Sequence, residues 1–183
     1  MELESWDPAG YPFGYSIRAR FGTMKIFLDT EFTNLDEPDL ISVGFVADHG
    51  AELYIVLSDF DHNMCSDFVK ANVLPLLDRE NPEVLSRGQA IDRMTSWLMD
   101  QRTSATEVIE LVADHSIDFE LIPPSVISEV GIVQFFNVYT ELSRSLLLQF
   151  AVAQDEWHHQ IGIRHHSMID ARGLKFAWDR DGR

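Results

Sequence analysis

Apolar residues follow two rhythms along this chain, and the changes between them mark its elements. Residues 25–32, KIFLDTEF, form a short run of β-forming residues, the pattern of a buried strand. The run breaks into a turn-forming string, Thr33-Asn34-Leu35-Asp36-Glu37-Pro38. Residues 40–46 then alternate well enough for a second strand. Asp48-His49-Gly50 is a hairpin signal, and residues 51–57 read as a third strand. Three strands joined by short turns predict an antiparallel opening.

From residue 66 the apolar spacing lengthens to three and four, through Phe68, Val69, Val73, Leu74 and Leu77, which predicts a helix. A second helix is predicted over 87–101, with Ile91, Met94, Trp97 and Leu98 on one stripe. Residues 107–113 read as a fourth strand. A helix is expected near Asp118, and Pro123-Pro124 ends or redirects it, because proline lacks an N–H and restricts the residue before it. The apolar stretch 133–153 is read as mostly helix, with 130–138 ambiguous. The tail 166–180 is helical again, through Met168, Ile169, Leu174, Ala177 and Trp178. The order βββ-α-α-β-α-α predicts an α/β fold, a mixed sheet flanked by helices.

The first 23 residues differ in kind. They hold three Gly and two Pro, and lack the continuous apolar stretch of a signal peptide. Residues 1–23 are expected to be a flexible N-terminal extension and 24–183 a single domain, opening at Met24. With 183 residues, 45% of them hydrophobic, the chain can close a core without disulfides, and 24% charged residues argue against wholesale disorder. The lone Cys65 offers neither an intramolecular disulfide nor a thiolate cluster for zinc, which fits a reducing cytoplasm. No apolar run is long enough for a bilayer span. Charge adds an exclusion: 14 Lys and Arg against 30 Asp and Glu leave −16. Such a surface repels polyanions, so coating long duplexes or anionic membranes is disfavoured. A small phosphate-ester site in which metal ions supply the positive charge is not excluded.

Three motifs carry candidate chemistry. Asp29-Thr30-Glu31 lies on the first strand, where residues i and i+2 share a face, so two carboxylates stand side by side beside apolar neighbours. Like charges held close and partly dehydrated need neutralising, and hard divalent cations do this through oxygen ligands. Asp114 and Asp118 then compete for one role between the fourth strand and the helix after it. Last, His165 stands five residues before Asp170 across a loop-to-helix junction, where a neutral imidazole can take a proton from an activated water. Two rival metal sites are weaker. Asp59-Phe60-Asp61-His62-Asn63 starts like a calcium loop, but Met64 replaces the required Gly and Lys70 the final Glu. His158, His159, His165 and His166 match no common zinc spacing.

Asp29-Thr30-Glu31-Phe32-Thr33, an Asp after a later strand, and a terminal His165-x4-Asp170-Ala171 together resemble the DEDDh branch of the 3′→5′ exonuclease superfamily, which includes ribonuclease T and oligoribonuclease. The opening from Met24 is most similar to small bacterial and phage exoribonuclease-like proteins. The resemblance implies a ribonuclease-H-like mixed sheet with its first three strands antiparallel. It implies Asp29, Glu31, Asp118 and Asp170 as ligands of two Mg²⁺ or Mn²⁺ ions and His165 as general base, with Asp114 the alternative to Asp118. The motif departs from the branch's usual His-Asn pair, having Asp114-His115 there. The implied activity is release of 5′-mononucleotides from single-stranded RNA or short oligonucleotide 3′ ends by a two-metal mechanism. Phe32 and Leu35 would pack on terminal bases, and a homodimer is implied as a plausible state, with the apolar 130–150 region as interface or core. A DNA exonuclease, or a non-catalytic acidic binding protein on the same fold, are the alternatives.

Overall fold

The computed structural model describes residues 22–180. The expected N-terminal extension therefore lies outside the described residues, except for Gly22 and Thr23. Thr23 already belongs to the first strand.

The chain order is β1 (Thr23–Phe32), β2 (Leu40–Ala47), β3 (Glu52–Leu57), α1 (Asp67–Asn72), β4 (Glu83–Leu85), α2 (Arg87–Asp100), β5 (Val108–Ala113), α3 (Ser116–Leu121), α4 (Pro124–Val130), β6 (Val133–Asn137), α5 (Val138–Glu141), α6 (Arg144–Ile161) and α7 (Ser167–Arg180). The strands form one sheet in the order β4-β3-β2-β1-β5-β6. The pairs β1–β2 and β2–β3 are antiparallel, whereas β3–β4, β1–β5 and β5–β6 are parallel. The mixed sheet with an antiparallel three-strand opening is as expected. The hairpin turns where Asp48-His49-Gly50 sits, with Gly50 in the left-handed region at φ 93°.

The sheet is covered on both faces, which explains why β1 and β2 are apolar runs rather than strict alternations. One core holds Ile26, Leu28, Phe45, Ile55 and Leu111 beneath α2 and α4. The other holds Phe27, Val112, Phe136 and Phe150 beneath α6 and α7. Phe27, Asp29 and Glu31 share a face by strand alternation, so the carboxylates point to the α6–α7 side.

On that side α7 begins almost in contact with the sheet. A Cβ built on Gly44 would lie 2.5 Å from the Ser167 carbonyl oxygen and 2.6 Å from Met168 Cα, both backbone atoms that cannot swing away. Gly44 is paired with Asp29 across β1–β2, and Ser42 with Glu31. Ser42 and Ser167, both fully buried, are joined through their hydroxyls at 3.0 Å. Small residues beside the two carboxylates thus let the helix that carries Asp170 come down onto them.

Four elements depart from expectation. The first helix is a short α1 followed by a 3-10 turn at Leu74–Leu76, and β4 was not foreseen. Pro124 does not merely stop a helix: it is the first residue of α4, where a missing N–H costs nothing. The stretch read as mostly helix contains β6, a strand at the sheet edge with Phe135 45% exposed, so no clean alternation marks it. The 130–150 region divides accordingly. Val130, Phe136, Val138 and Phe150 are in the cores, and Phe135, Tyr139 and Leu148 are exposed.

Gly44→Ala is expected to cost roughly 3 kcal/mol, the upper range for forcing a methyl group into a packed interior. That corresponds to a fall in melting temperature of about 6–12 °C in a domain of this size, measurable by calorimetry. An unchanged melting temperature would show that α7 does not rest on β2 in this way.

Candidate active site

β1 and β5 run parallel, so their carboxyl ends lie on the same edge of the sheet, the customary position of ligand sites in α/β sheets. Asp29 and Glu31 come from the end of β1. Asp114 follows β5 directly, and Asp118 lies one helical turn further on in α3. Asp170 comes from the first turn of α7. All five line one cleft of about 630 Å³, with His115, His165, Phe32, Leu35 and Phe68.

The carboxylates fall into two groups with one shared member. Ligand oxygens of Asp29, Glu31 and Asp170 lie within 4.8 Å of one another, and those of Asp29, Asp114 and Asp118 do the same. The competition between Asp114 and Asp118 thus ends with both at the site. Asp118 is 3% exposed and tied to β1: its Oδ1 accepts from the Thr30 hydroxyl at 2.6 Å and the Thr30 N–H at 3.1 Å. Thr30, between the two motif acids, turns to the opposite face from them and secures a third. Asp170 Oδ2 accepts from the His166 N–H at 3.0 Å.

The two adjacent histidines have different surroundings. His166 is 2% exposed; its Nδ1 accepts from the Ile169 N–H at 3.4 Å, capping α7, and its ring packs on Tyr54 at 4.9 Å. His165 is exposed in the cleft, in the left-handed region at φ 60°, with the Phe68 ring perpendicular to its own at 4.9 Å. A non-glycine residue there is strained, and such strain clusters at working sites. A third histidine was not foreseen in any role here. His158 of α6 is 8% exposed, with Nδ1 3.1 Å from the Ile163 carbonyl oxygen and 3.4 Å from Asp170 Oδ1. A carbonyl only accepts, so Nδ1 carries the proton and presents it toward Asp170 as well. Gln154, one turn earlier on α6, donates to Asp114 Oδ2 at 3.0 Å. Neither contact has a local sequence signal, because the partners are distant in the chain. Among the described residues, no grouping suited to a metal ion includes a histidine, so the four-histidine zinc site does not form.

A scan of known protein-family profiles finds no match to this chain. Two curated 3′-5′ exoribonucleases, from two strains of Mycobacterium tuberculosis, are each 42% identical to it over 55 residues, 30% of this chain and 33% of the relative. The match thus spans about a third of those relatives' length. The solved structure of cell-death related nuclease 4 superposes over 86% of this chain and 62% of that chain, at a TM-score of 0.52 and 13% identity. This chain is related to the 3′→5′ exonuclease superfamily. The likeness to cell-death related nuclease 4 bears on the fold, which is ribonuclease-H-like.

The cleft's electrostatics fit a site for divalent ions. Burial first, and then Asp118, Asp170, Glu31 and Asp114, push the Asp29 carboxyl well above the ordinary range. Burial followed by Asp170 and Asp118 does the same to Glu31. Burial lifts Asp118 to about 7 against the opposing pull of the Thr30 hydroxyl. Burial also raises Asp170, against the opposing pull of His158. Asp118 Oδ2 is buried without a hydrogen-bond partner, and Asp170 Oδ1, also buried, has only the His158 ring at 3.4 Å. Buried carboxylate oxygens so sparsely supplied with donors, held in two groups about a common carboxylate, are the donor set of hard cations.

These shifts fix a sign. A carboxyl whose folded pKa is raised holds its proton in the folded state when the unfolded chain has lost it, so stability falls as pH rises between the two values. For Asp118 that window runs from about 4 to about 7. Metal-free protein is expected to melt at lower temperature at pH 8 than at pH 5. Mn²⁺ or Mg²⁺ should raise the melting temperature more at pH 8, because the ions bind the deprotonated cluster. A metal-induced rise that is equal at both pH values would contradict this account.

Proposed function

We propose that this chain is a metal-dependent 3′→5′ exonuclease that removes 5′-mononucleotides from single-stranded RNA ends. The observation that carries the proposal is the pair of carboxylate groups sharing Asp29, with His165 at the same cleft. The two mycobacterial relatives are 3′-5′ exoribonucleases, which supports the 3′→5′ direction and the choice of RNA.

Asp29, Glu31 and Asp170 would hold one divalent ion, and Asp29 with Asp118 would help hold a second. Such ions, Mg²⁺ or Mn²⁺, supply Lewis acidity toward a phosphodiester and activate water near neutral pH. The protein's own part is to place groups. His165 accepts the proton of the attacking water; its exposure in the cleft leaves it free to reach that water. Phe68, packed at right angles to the ring, limits its rotation. Thr30 keeps Asp118 beneath the strand end, and His158 holds Asp170 from behind. Phe32, Leu35 and Phe68 give the cleft an apolar wall against which terminal bases stack, an interaction worth roughly 1–3 kcal/mol per base. Leu35 is 80% exposed, so its side chain is open to a base entering the cleft.

The test is digestion of a 5′-labelled single-stranded RNA, with the matching DNA alongside, in Mg²⁺ or Mn²⁺. The expected product is a ladder that shortens from the 3′ end, faster on RNA. His165→Ala is expected to lower kcat by about 10²–10⁴-fold, the usual contribution of a general base, while leaving metal-induced stabilisation intact. Asp29→Asn is expected to abolish both. No ladder from pure protein with either metal would refute the proposal, and full activity in His165→Ala would remove that residue from its role.

A further inference from the structure

We propose that Asp114 is a fifth carboxylate ligand, completing a second metal site with Asp29 and Asp118, and that Gln154 of α6 orients it. This rests on the exonuclease reading and adds to it. Four carboxylates suffice for the motif that the chain resembles, and in the sequence Asp114 and Asp118 compete for one place. In the fold they do not compete, since both offer an oxygen within 4.8 Å of Asp29's and of each other's.

The extra ligand strengthens the second site. Asp29 is shared with the Glu31–Asp170 group, and Asp118 has only one oxygen to give. Its Oδ1 is engaged twice by Thr30, at 2.6 and 3.1 Å, which leaves Oδ2, buried and without a partner. Two carboxylates, one of them shared, leave most of the six or more oxygens around a hard cation to water or a substrate phosphate. Asp114 supplies the third.

Its side chain is positioned for this. Gln154 donates an amide N–H to Asp114 Oδ2 at 3.0 Å, which fixes the carboxylate plane and leaves Oδ1 for another partner. An amide orients without cancelling charge, as an Arg or Lys would. His158, four residues later on the same face of α6, stands 3.4 Å from Asp170 in the other group. One helix thus braces an outer carboxylate in each group. With five carboxylates against two divalent ions, the site keeps net negative charge when both ions are bound. It should therefore fill from the metal alone, before any phosphate arrives to complete the coordination.

Calorimetric titration of the full chain with MnCl₂, without nucleotide, tests this. The wild type is expected to bind two ions. Asp114→Asn, nearly isosteric and still able to bond Gln154, should weaken one site by about 10-fold or more and leave the other unchanged. Gln154→Leu should weaken the same site by a smaller factor, and a metal-free melt of each variant checks folding. Asp29→Asn should lose both sites. If Asp114→Asn and Gln154→Leu bind two ions as the wild type does while Asp29→Asn does not, the fifth-ligand proposal is wrong and the exonuclease reading stands. If the wild type binds no Mn²⁺, or Asp29→Asn binds normally, both fall.

Discussion

Repulsion between like charges is the constraint around which this molecule is arranged. Pairs of carboxylate oxygens are held within 4.8 Å at the end of β1. At an effective dielectric of 20, two unit charges at that distance repel by about 3.5 kcal/mol. Burial adds to this, and is the foremost cause of the upward shift at Asp29, Glu31, Asp118 and Asp170 alike. Nothing within the cluster relieves the strain fully, so the rest of the fold must hold it. It does so by seating Asp29 and Glu31 on a strand packed on both faces, where Ile26, Phe27 and Leu28 are wholly buried and β1 cannot twist away. A strand at the sheet edge could relax. β1 is central, hydrogen-bonded to β2 and β5.

The remaining ligands are brought in by tight contacts rather than by charge. Asp170 arrives because Gly44 and Ser42 leave room for the start of α7. A second close approach, at Gly173, where a Cβ would come 2.7 Å from the Trp157 ring, keeps α6 pressed against α7. Through that packing α6 can present Gln154 and His158 to Asp114 and Asp170. Asp118 arrives because Thr30 donates to it twice. The loop between α6 and α7 then has little choice of path. It leaves α6 through Gly162 in the left-handed region and delivers His165, also left-handed, into the cleft while His166 caps α7. The exposed and buried histidines are two consequences of one short connection.

What the sequence made legible follows from the range of the interactions. Asp29 and Glu31 were readable because strand alternation is a two-residue rule. His165 and Asp170 were readable as a pair across a helix start. The three opening strands were readable because short turns separate them. The role of Thr30 was not, because its partner Asp118 lies 88 residues away and a threonine on a strand is ordinary. Nor were those of Gln154 and His158, which look like polar positions of an amphipathic helix until the partner carboxylates are placed. Asp114 and Asp118 looked like rivals because sequence gives their separation but not the path between them. β6 was hidden for a related reason: it packs Phe135 on Phe119 of α3 and Phe136 on Trp178 of α7, contacts distant in the chain, and its own alternation is not clean. The two prolines do mark the break after α3, but that Pro124 also begins a helix of its own was not readable from them.

The chain's acidity bears on how such a site would hold a polyanion. Among the described residues, Arg87, Arg93, Arg164, Arg172, Lys175 and Arg180 are each paired with a carboxylate. No Lys or Arg is among the residues lining the cleft. A groove that tracks a nucleic-acid backbone needs basic side chains along it, and each phosphate they neutralise steepens the dependence of binding on salt. Here the positive charge would have to come from ions at one point, and the rest of the grip from Phe32, Leu35 and Phe68. On the exonuclease reading, such a site would grip the end of a strand and offer little to the phosphates beyond it. The preference for ends then follows from where the charge is, without any steric barrier to longer chains.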